Sequence, residues 1–169
     1  MKRSGRTLKQ RLYGLKHIAS RLRRARYFRG HGVHSPYVYN IVRQVFMSSK
    51  FIGDDRTLYD ALISRGTSQR RAMQLQNLAL HCNYATWSID AEGGELVILT
   101  LDCDAEALVR HAEAARAAKA TLCILTPYHT AERWQTCCSL VEGHPSTTVD
   151  NSGYLLLFNN HLPKQRFRL

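Results

Sequence analysis

The chain has 169 residues, of which 44% are hydrophobic and 22% are charged. These proportions are typical of a globular protein with one buried core, and they exclude a chain that is disordered throughout. The longest apolar runs, at 96–101 and 154–158, have the length of buried strands. We therefore expect no transmembrane segment.

Positive charge is concentrated at the N-terminal end of the chain. The formal net charge is +11, and residues 1–53 contain 13 Lys and Arg residues and no acidic residue. This asymmetry predicts that residues 1–30 bind a polyanion, either RNA or an acidic membrane surface. A solvated basic helix that packs its leucines on the domain is the main alternative, and a mitochondrial transit peptide is another. The residues assigned to anion binding are Arg21, Arg23, Arg24, Arg26, Arg29, His31 and His34. For the two histidines, an alternative role is to position residues 1–30, here called the arm, against the domain.

The cysteines predict the redox environment of the protein. Their number is odd, and no C-x-x-C pair occurs among Cys82, Cys103, Cys123, Cys137 and Cys138. Such usage is typical of a reducing compartment, where cysteine serves as a small apolar residue. Residues 1–30 also lack the apolar segment of a secretory signal. We therefore expect a cytoplasmic protein.

The first half of the chain is predicted to be helical. Leucines at three- and four-residue steps indicate an amphipathic helix over 7–28, which the glycines at 30 and 32 end. Ser35 and Pro36 are typical of a second helix start, and that helix continues to Phe46. Two further helices are predicted at 55–65 and 68–82, the second of them capped by Ser68. We expect a basic helical extension over 1–53 and an α/β domain over 54–169.

The second half alternates apolar strands with helices. Strands are predicted at 84–89, 95–101, 121–125, 146–149 and 154–158, and helices at 104–119 and 130–141. This alternation predicts a parallel sheet that is covered on both faces. The last two strands are joined by a very short turn, so they must be antiparallel. We expect 95–101 and 121–125 to be adjacent central strands with 154–158 antiparallel beside them.

Two motifs and the order of the elements resemble a known family. Residues 31–37 read His-Gly-Val-His-Ser-Pro-Tyr, residues 164–167 read Lys-Gln-Arg-Phe, and Trp134 precedes a His-Pro-Ser segment at 144–146. These features are similar to class I S-adenosylmethionine-dependent methyltransferases, in a bacterial subgroup with a basic first helix and a His-Gly-x-His-Ser-Pro motif. The resemblance implies a Rossmann-like sheet whose last strand pair is antiparallel, and S-adenosylmethionine as cofactor.

The resemblance also predicts which parts of the family's cofactor site are missing. In the family, a Gly-rich turn, a helix, a second strand that ends in an acid for the ribose hydroxyls, and a third strand follow the first strand. Here strand 84–89 is followed by a short turn and then by strand 95–101, which resembles the family's fourth strand. A parallel crossover needs about ten residues or more. We therefore expect the first crossover helix and two strands to be absent, which leaves about five strands with the first strand at a sheet edge.

The remaining cofactor contacts implied by the resemblance are at Asp90, Gly93, Gly94 and Asp102. A plain turn is the alternative for the first three, and a cluster of acids at a helix N-terminus, with Asp104 and Glu106, is the alternative for Asp102. Residues 126–129, where related O-methyltransferases carry metal-binding acids, contain no carboxylate, so we expect no metal. No catalytic residue is assigned, because Cys137 lacks a base partner and is predicted to be buried.

Three functions are compatible with this sequence. The first is a degenerate, inactive methyltransferase-like protein that acts as a binding or scaffold module, with a protein partner. The second is an active methyltransferase whose cofactor site a partner completes. The third is a basic protein that binds nucleic acid or an anionic surface and uses the domain only as a platform.

Overall fold

The computed structural model describes residues 34–169. The predicted helix at 7–28 lies outside this part of the chain. The same is true of six residues assigned to anion binding, Arg21, Arg23, Arg24, Arg26, Arg29 and His31.

Three of the described helices begin at a residue whose side-chain oxygen caps them. Ser35 Oγ accepts a hydrogen bond from the N–H of Val38 at 3.4 Å, and Asp104 and Thr130 cap two later helices in the same way. Ser68 occupies the predicted cap position of its helix but makes no capping hydrogen bond. The helices are α1 (Pro36–Ile41), which continues as a π-helical turn (Val42–Phe46), α2 (Thr57–Ser64), α3 (Gln69–His81), α4 (Ala105–Ala117) and α5 (Ala131–Gly143).

The strands form one mixed sheet of six strands in the order β1-β2-β3-β5-β4-β6. The central strands β2 and β3 are parallel and buried on both faces, and β5 lies antiparallel beside β3. This confirms the α/β class and the predicted arrangement of the three central strands. The strands are β1 (Trp87–Ile89), β2 (Leu96–Leu99), β3 (Thr121–Leu125), β4 (Thr148–Asp150), β5 (Tyr154–Leu157) and β6 (Arg166–Arg168).

Helices cover both faces of the sheet. The helices α1 to α3 pack on one face, in a cluster that includes Val38, Leu75 and Leu156. The helices α4 and α5 pack on the other face around Leu108 and Leu122. The result is a three-layer α/β/α arrangement compatible with a Rossmann-like fold. In the part of the chain that the structure describes, no helix is long and apolar enough to cross a membrane.

The sequence pattern predicts about five strands and does not reveal the sixth, β6. Its residues lie in the segment read as a family motif, and they pair in parallel with β4. The charged residues Arg166 and Arg168 concealed the strand, because an edge strand can attach through a single partly buried side chain. Phe167 provides that side chain and packs on the α1–α3 face.

Strand β1 is shorter than the predicted strand 84–89. The N–H groups of Ala85 and Thr86 donate to the carboxylate of Glu95 instead of joining the sheet. The side chain of Tyr84 reaches the hydroxyl of Thr121 at 2.6 Å. These contacts hold residues 84–86 in an irregular conformation outside the strand.

The connection from β1 to β2 spans only residues 90–95, although the two strands are parallel. No crossover element lies between them, as expected, and yet the parallel pairing forms. The connection is possible because β1 has three residues and the chain folds back against it. Ser88 Oγ donates to the carbonyls of Ala91 and Gly93, and Gly94 lies directly against the backbone of Trp87.

The two glycines of this return loop provide a test of the packing. Both have positive φ, but a Cβ on Gly94 would lie 3.0 Å from Trp87 Cα, whereas a Cβ on Gly93 would meet nothing within 4 Å. We expect Gly93→Ala to lower the free energy of unfolding by about 1–2 kcal/mol through backbone strain. Gly94→Ala should cost a further 1–3 kcal/mol, roughly, because backbone must move. Urea denaturation measures both, and equal losses would contradict the close contact.

Candidate functional site at the carboxyl edge of the sheet

The carboxyl ends of five strands lie at one edge of the sheet. The strands β1, β2 and β3 are parallel, β4 has the same direction because both it and β3 are antiparallel to β5, and β6 is parallel to β4. In open α/β sheets, ligands bind at this edge. This edge is therefore the candidate site.

Asp90 follows β1 at this edge, and its carboxylate is engaged within the protein. The N–H and the hydroxyl of Thr100 each donate to it at 2.7 Å, one to each carboxylate oxygen. The thiol of Cys103 donates to it at 3.2 Å. Asp90 itself has φ +54, a conformation that aspartate tolerates better than most residues. The carboxylate thus ties the end of β1 to the loop that follows β2.

The thiol of Cys103 is protonated at neutral pH. Burial raises its pKa to about 12, and the hydrogen bond to Asp90 and the negative charge of that carboxylate act in the same direction. A protonated thiol is a donor and a weak nucleophile. Cys103 therefore contributes a hydrogen bond to this edge and no reactive thiolate.

Arg133, in the first turn of α5, is buried beneath the same edge. Its guanidinium donates to three backbone carbonyls, those of Thr100 at 2.7 Å, Cys103 at 2.8 Å and Leu125 at 3.1 Å. Its Nε has no hydrogen-bond acceptor in the described structure. Burial lowers the pKa of Arg133, and nearby groups that include Asp90 oppose this shift. A single side chain thus holds the ends of β2 and β3 and the loop between them.

A second group of side chains lies further along the edge, at the ends of β3 and β4. Tyr128 donates its hydroxyl proton to the buried carboxylate of Asp150. The ring of Tyr128 is stacked on Trp134 with 4.2 Å between centroids. Thr126 connects this group to β3 and has φ +45, which is strained for a β-branched residue.

The structure places the predicted cofactor residues in different environments. Asp90 and Asp102 are brought to the same edge through Thr100, whose hydroxyl accepts the N–H of Asp102 at 3.2 Å. The side chain of Asp102 is exposed. Gly93 is exposed, and Gly94 is packed against β1 as described above. A role of these residues in cofactor binding stays a prediction.

The other predictions for single residues concern His34, Asp104 and Cys137. His34 is exposed just before α1, so its role in anion binding stays a prediction. Asp104 caps α4, which agrees with the alternative given for this acidic group. Cys137 is fully buried, as predicted, and burial raises its pKa to about 12. Within residues 34–169, no three His, Cys, Asp or Glu side chains are placed so that they could hold a metal.

Comparison of the chain with protein-family models, with curated proteins and with solved structures gave no match. The interpretation of this edge therefore depends on its geometry.

Arg133 was not among the predicted site residues, although the sequence contains a signal for it. Arg133 lies four residues before Cys137 and seven before Leu140, which is the spacing of one helix face. Both of these residues pack in the core beneath α5. An arginine on such a buried face must find hydrogen-bond acceptors there, and backbone carbonyls at strand ends are the nearest available.

Replacement of Arg133 tests whether it holds the edge together. Arg133→Met keeps most of the apolar side chain but leaves three carbonyls without their donor, so we expect a loss of about 2–4 kcal/mol in the free energy of unfolding. Arg110→Met, at an exposed position of α4, is the control and should change stability by less than about 0.5 kcal/mol. Chemical denaturation of both variants gives the comparison. Similar small losses in the two proteins would argue against a structural role for the buried guanidinium.

Proposed function

We propose that the chain is a methyltransferase-like α/β domain that lacks a complete S-adenosylmethionine site and acts as a binding or scaffold module. The observation that carries this proposal is the internal use of the Asp90 carboxylate. Three hydrogen bonds reach it from the protein's own Thr100 and Cys103. The carboxylate is thereby committed to holding two strand ends together, and about one of its four acceptor sites is left for a ligand.

The strand order supports the family part of the proposal. The order β1-β2-β3-β5-β4, with an antiparallel final pair, is the order expected if two strands were missing beside β1. The return loop over residues 90–95 stands where the family's crossover helix and second strand would follow. A methyltransferase-like origin therefore accounts for the strand order. The return loop, which replaces the crossover helix and second strand, accounts for the incomplete S-adenosylmethionine site.

The residues present do not fit the cofactor. The ribose hydroxyls would need an acid at the end of a strand that this chain does not have between β1 and β2. A lost charge-assisted hydrogen bond costs roughly 1.5–3 kcal/mol. The adenine would also lack the strand and helix that cover it in the family. Together these losses would move a micromolar site toward millimolar affinity.

Thermal denaturation with and without millimolar S-adenosylmethionine tests this proposal. A ligand at a hundred times its dissociation constant stabilises a protein by about 2.7 kcal/mol, which raises Tm by roughly 5–10 °C in a domain of this size. We expect no shift. Asp90→Ala and the exposed control Glu92→Ala should each give the same Tm with and without cofactor.

Two outcomes would lead to a different function. S-adenosylmethionine could raise the Tm of the unmodified protein and of Glu92→Ala but not that of Asp90→Ala. That outcome would favour an active methyltransferase with its own cofactor site. A shift that requires a second protein would favour an active methyltransferase completed by a partner. Calorimetric titration of the same samples would give the affinity directly.

The charge distribution favours a second candidate function, which is binding of a polyanion by residues 1–30. The remaining basic and acidic residues nearly balance, so the excess positive charge lies at one end of the chain. Each phosphate contact releases counterions, and binding of this kind weakens steeply as the salt concentration increases.

Charge substitutions in the full chain test this candidate. Arg21, Arg23, Arg24 and Arg26 changed together to Gln should weaken RNA binding strongly and reduce its dependence on salt. The matched control changes four exposed residues of the described domain, Arg65, Arg70, Arg110 and Lys119. Filter binding or fluorescence anisotropy measures both. If the control loses as much affinity as the arm variant, the arm has no special role.

A further inference from the structure

The strand β6 lies at one end of the sheet, and the backbone groups of two of its three residues face outward. The N–H of Thr148 donates to the carbonyl of Gln165, and the N–H of Leu169 donates to the carbonyl of Asp150. The backbone hydrogen-bonding groups of residues 165, 167 and 169 therefore point toward β4. In a parallel ladder, those of the intervening residues point to the opposite side. The N–H and C=O groups of Arg166 and Arg168 consequently point away from β4. No residue in 34–169 pairs with them.

The side chains of this strand make its edge basic. Lys164, Arg166 and Arg168 are exposed and alternate with residues that face the other layer, such as Phe167. Lys164 Nζ and Arg166 Nη2 donate to the backbone carbonyl of Glu142, at 3.0 Å and 3.3 Å. Arg168 makes no hydrogen bond or ion pair within the described residues. Three cations thus follow one side of an open strand.

A small cavity lies between this strand and α5. Its volume is about 180 Å³, and it is lined on the helix side by Trp134, Cys138 and Val141 and floored by Leu155. A water molecule in the liquid takes up about 30 Å³, so the cavity has room for one apolar side chain. Two acidic residues, Glu142 and Asp150, are also among its lining residues, which disfavours an acidic group inside the cavity.

We propose that the edge of β6 binds an extended acidic peptide by strand addition. The peptide backbone pairs with the outward groups of Arg166 and Arg168. On the α5 side, an apolar side chain enters the cavity and its carboxylate neighbours, two residues before and after, meet the cationic side chains. Main-chain hydrogen bonds supply the affinity in this mode, and the alternating side chains supply the specificity.

Charge selects this partner over the other candidates. A second copy of the chain would place arginines opposite arginines, and like charges on adjacent strands are destabilising. Residues 1–30 carry charge of the same sign as the edge. Short length and basic residues are also devices that keep an edge strand from pairing nonspecifically. A carboxylate-bearing strand removes that electrostatic barrier, whereas a neutral or basic strand does not.

This inference names an acidic peptide as the partner of the proposed binding module. It rests on the proposed function only in taking the chain to be such a module. The two fail separately, because cofactor titrations test the carboxyl edge and peptide titrations test β6.

The first experiment compares two fluorescent peptides of equal composition and charge. In Thr-Glu-Thr-Leu-Thr-Glu-Thr, both glutamates and the leucine share one face of a strand. In Thr-Glu-Glu-Leu-Thr-Thr-Thr, the glutamates lie on opposite faces. Fluorescence anisotropy with the full chain should show tighter binding of the alternating peptide by about tenfold or more, since the isomer loses one charged contact and its register. Equal affinities would mean nonspecific attraction to positive charge and would overturn the proposal.

The second experiment separates the backbone contribution from the charge. Arg168→Gln and Arg168→Pro lose the same charge, but only proline also removes the outward N–H. Proline is tolerated at such an edge position because that N–H is not used by β4. We expect Arg168→Pro to bind the alternating peptide about tenfold more weakly than Arg168→Gln does. Equal affinities in two folded variants would refute strand addition.

Hydrogen exchange in the unmodified chain provides a test that needs no variant. The alternating peptide should slow exchange of the Arg166 and Arg168 amides, and the isomer at the same subsaturating concentration should slow it less. Unchanged exchange at saturation would overturn the proposal even if Arg168→Pro fails to fold. Sedimentation of the chain alone gives one more result against it, since a dimer that Arg168→Gln retains and Arg168→Pro loses would identify a second copy as the occupant.

Discussion

Parallel strands leave backbone carbonyls at the edge where they end, and a buried carbonyl needs a donor. In this chain Arg133 supplies donors to three such carbonyls, and Asp90 ties the neighbouring strand end to the same loop. The edge that other α/β proteins use for ligands is here held together by the protein's own side chains. The rest of the structure depends on the hydrogen bonds of Arg133, because the two central strands, the loop between them and α5 meet at its guanidinium.

Much of the fold could be predicted from the sequence. Continuous apolar runs identified β2, β3 and β5 and their relative directions, because a strand that is buried on both faces needs an apolar residue at every position. The capping residue Ser35 and the helical patterns that begin at Asp104 and Thr130 located three helix starts to within a residue or two. These signals are local, and each is read from a few neighbouring residues.

The features that were missed depend on contacts between distant parts of the chain. Strand β6 has one apolar residue, Phe167, and becomes a strand only because β4 offers it a ladder. Residues 84–86 have strand-forming side chains, but Glu95 takes two of their N–H groups. The candidate site shows the same limit. Asp90 was identified by its place after a strand. Thr100, which donates to Asp90, and Arg133, which donates to carbonyls at the same edge, were not identified.

The return loop over residues 90–95 also affects how the chain can fold. Parallel neighbours usually form slowly, because a long crossover must be closed before the strands can pair. Closure entropy grows with the logarithm of loop length. The helical crossover from β2 to β3 spans residues 100–120, about three and a half times the length of the return loop, so the shorter loop lowers the cost of closure by roughly 1.1 kcal/mol. In this sheet the pairing of β1 with β2 is a local event. It can form early and present an ordered template to β3, which reverses the usual order in which parallel sheets assemble.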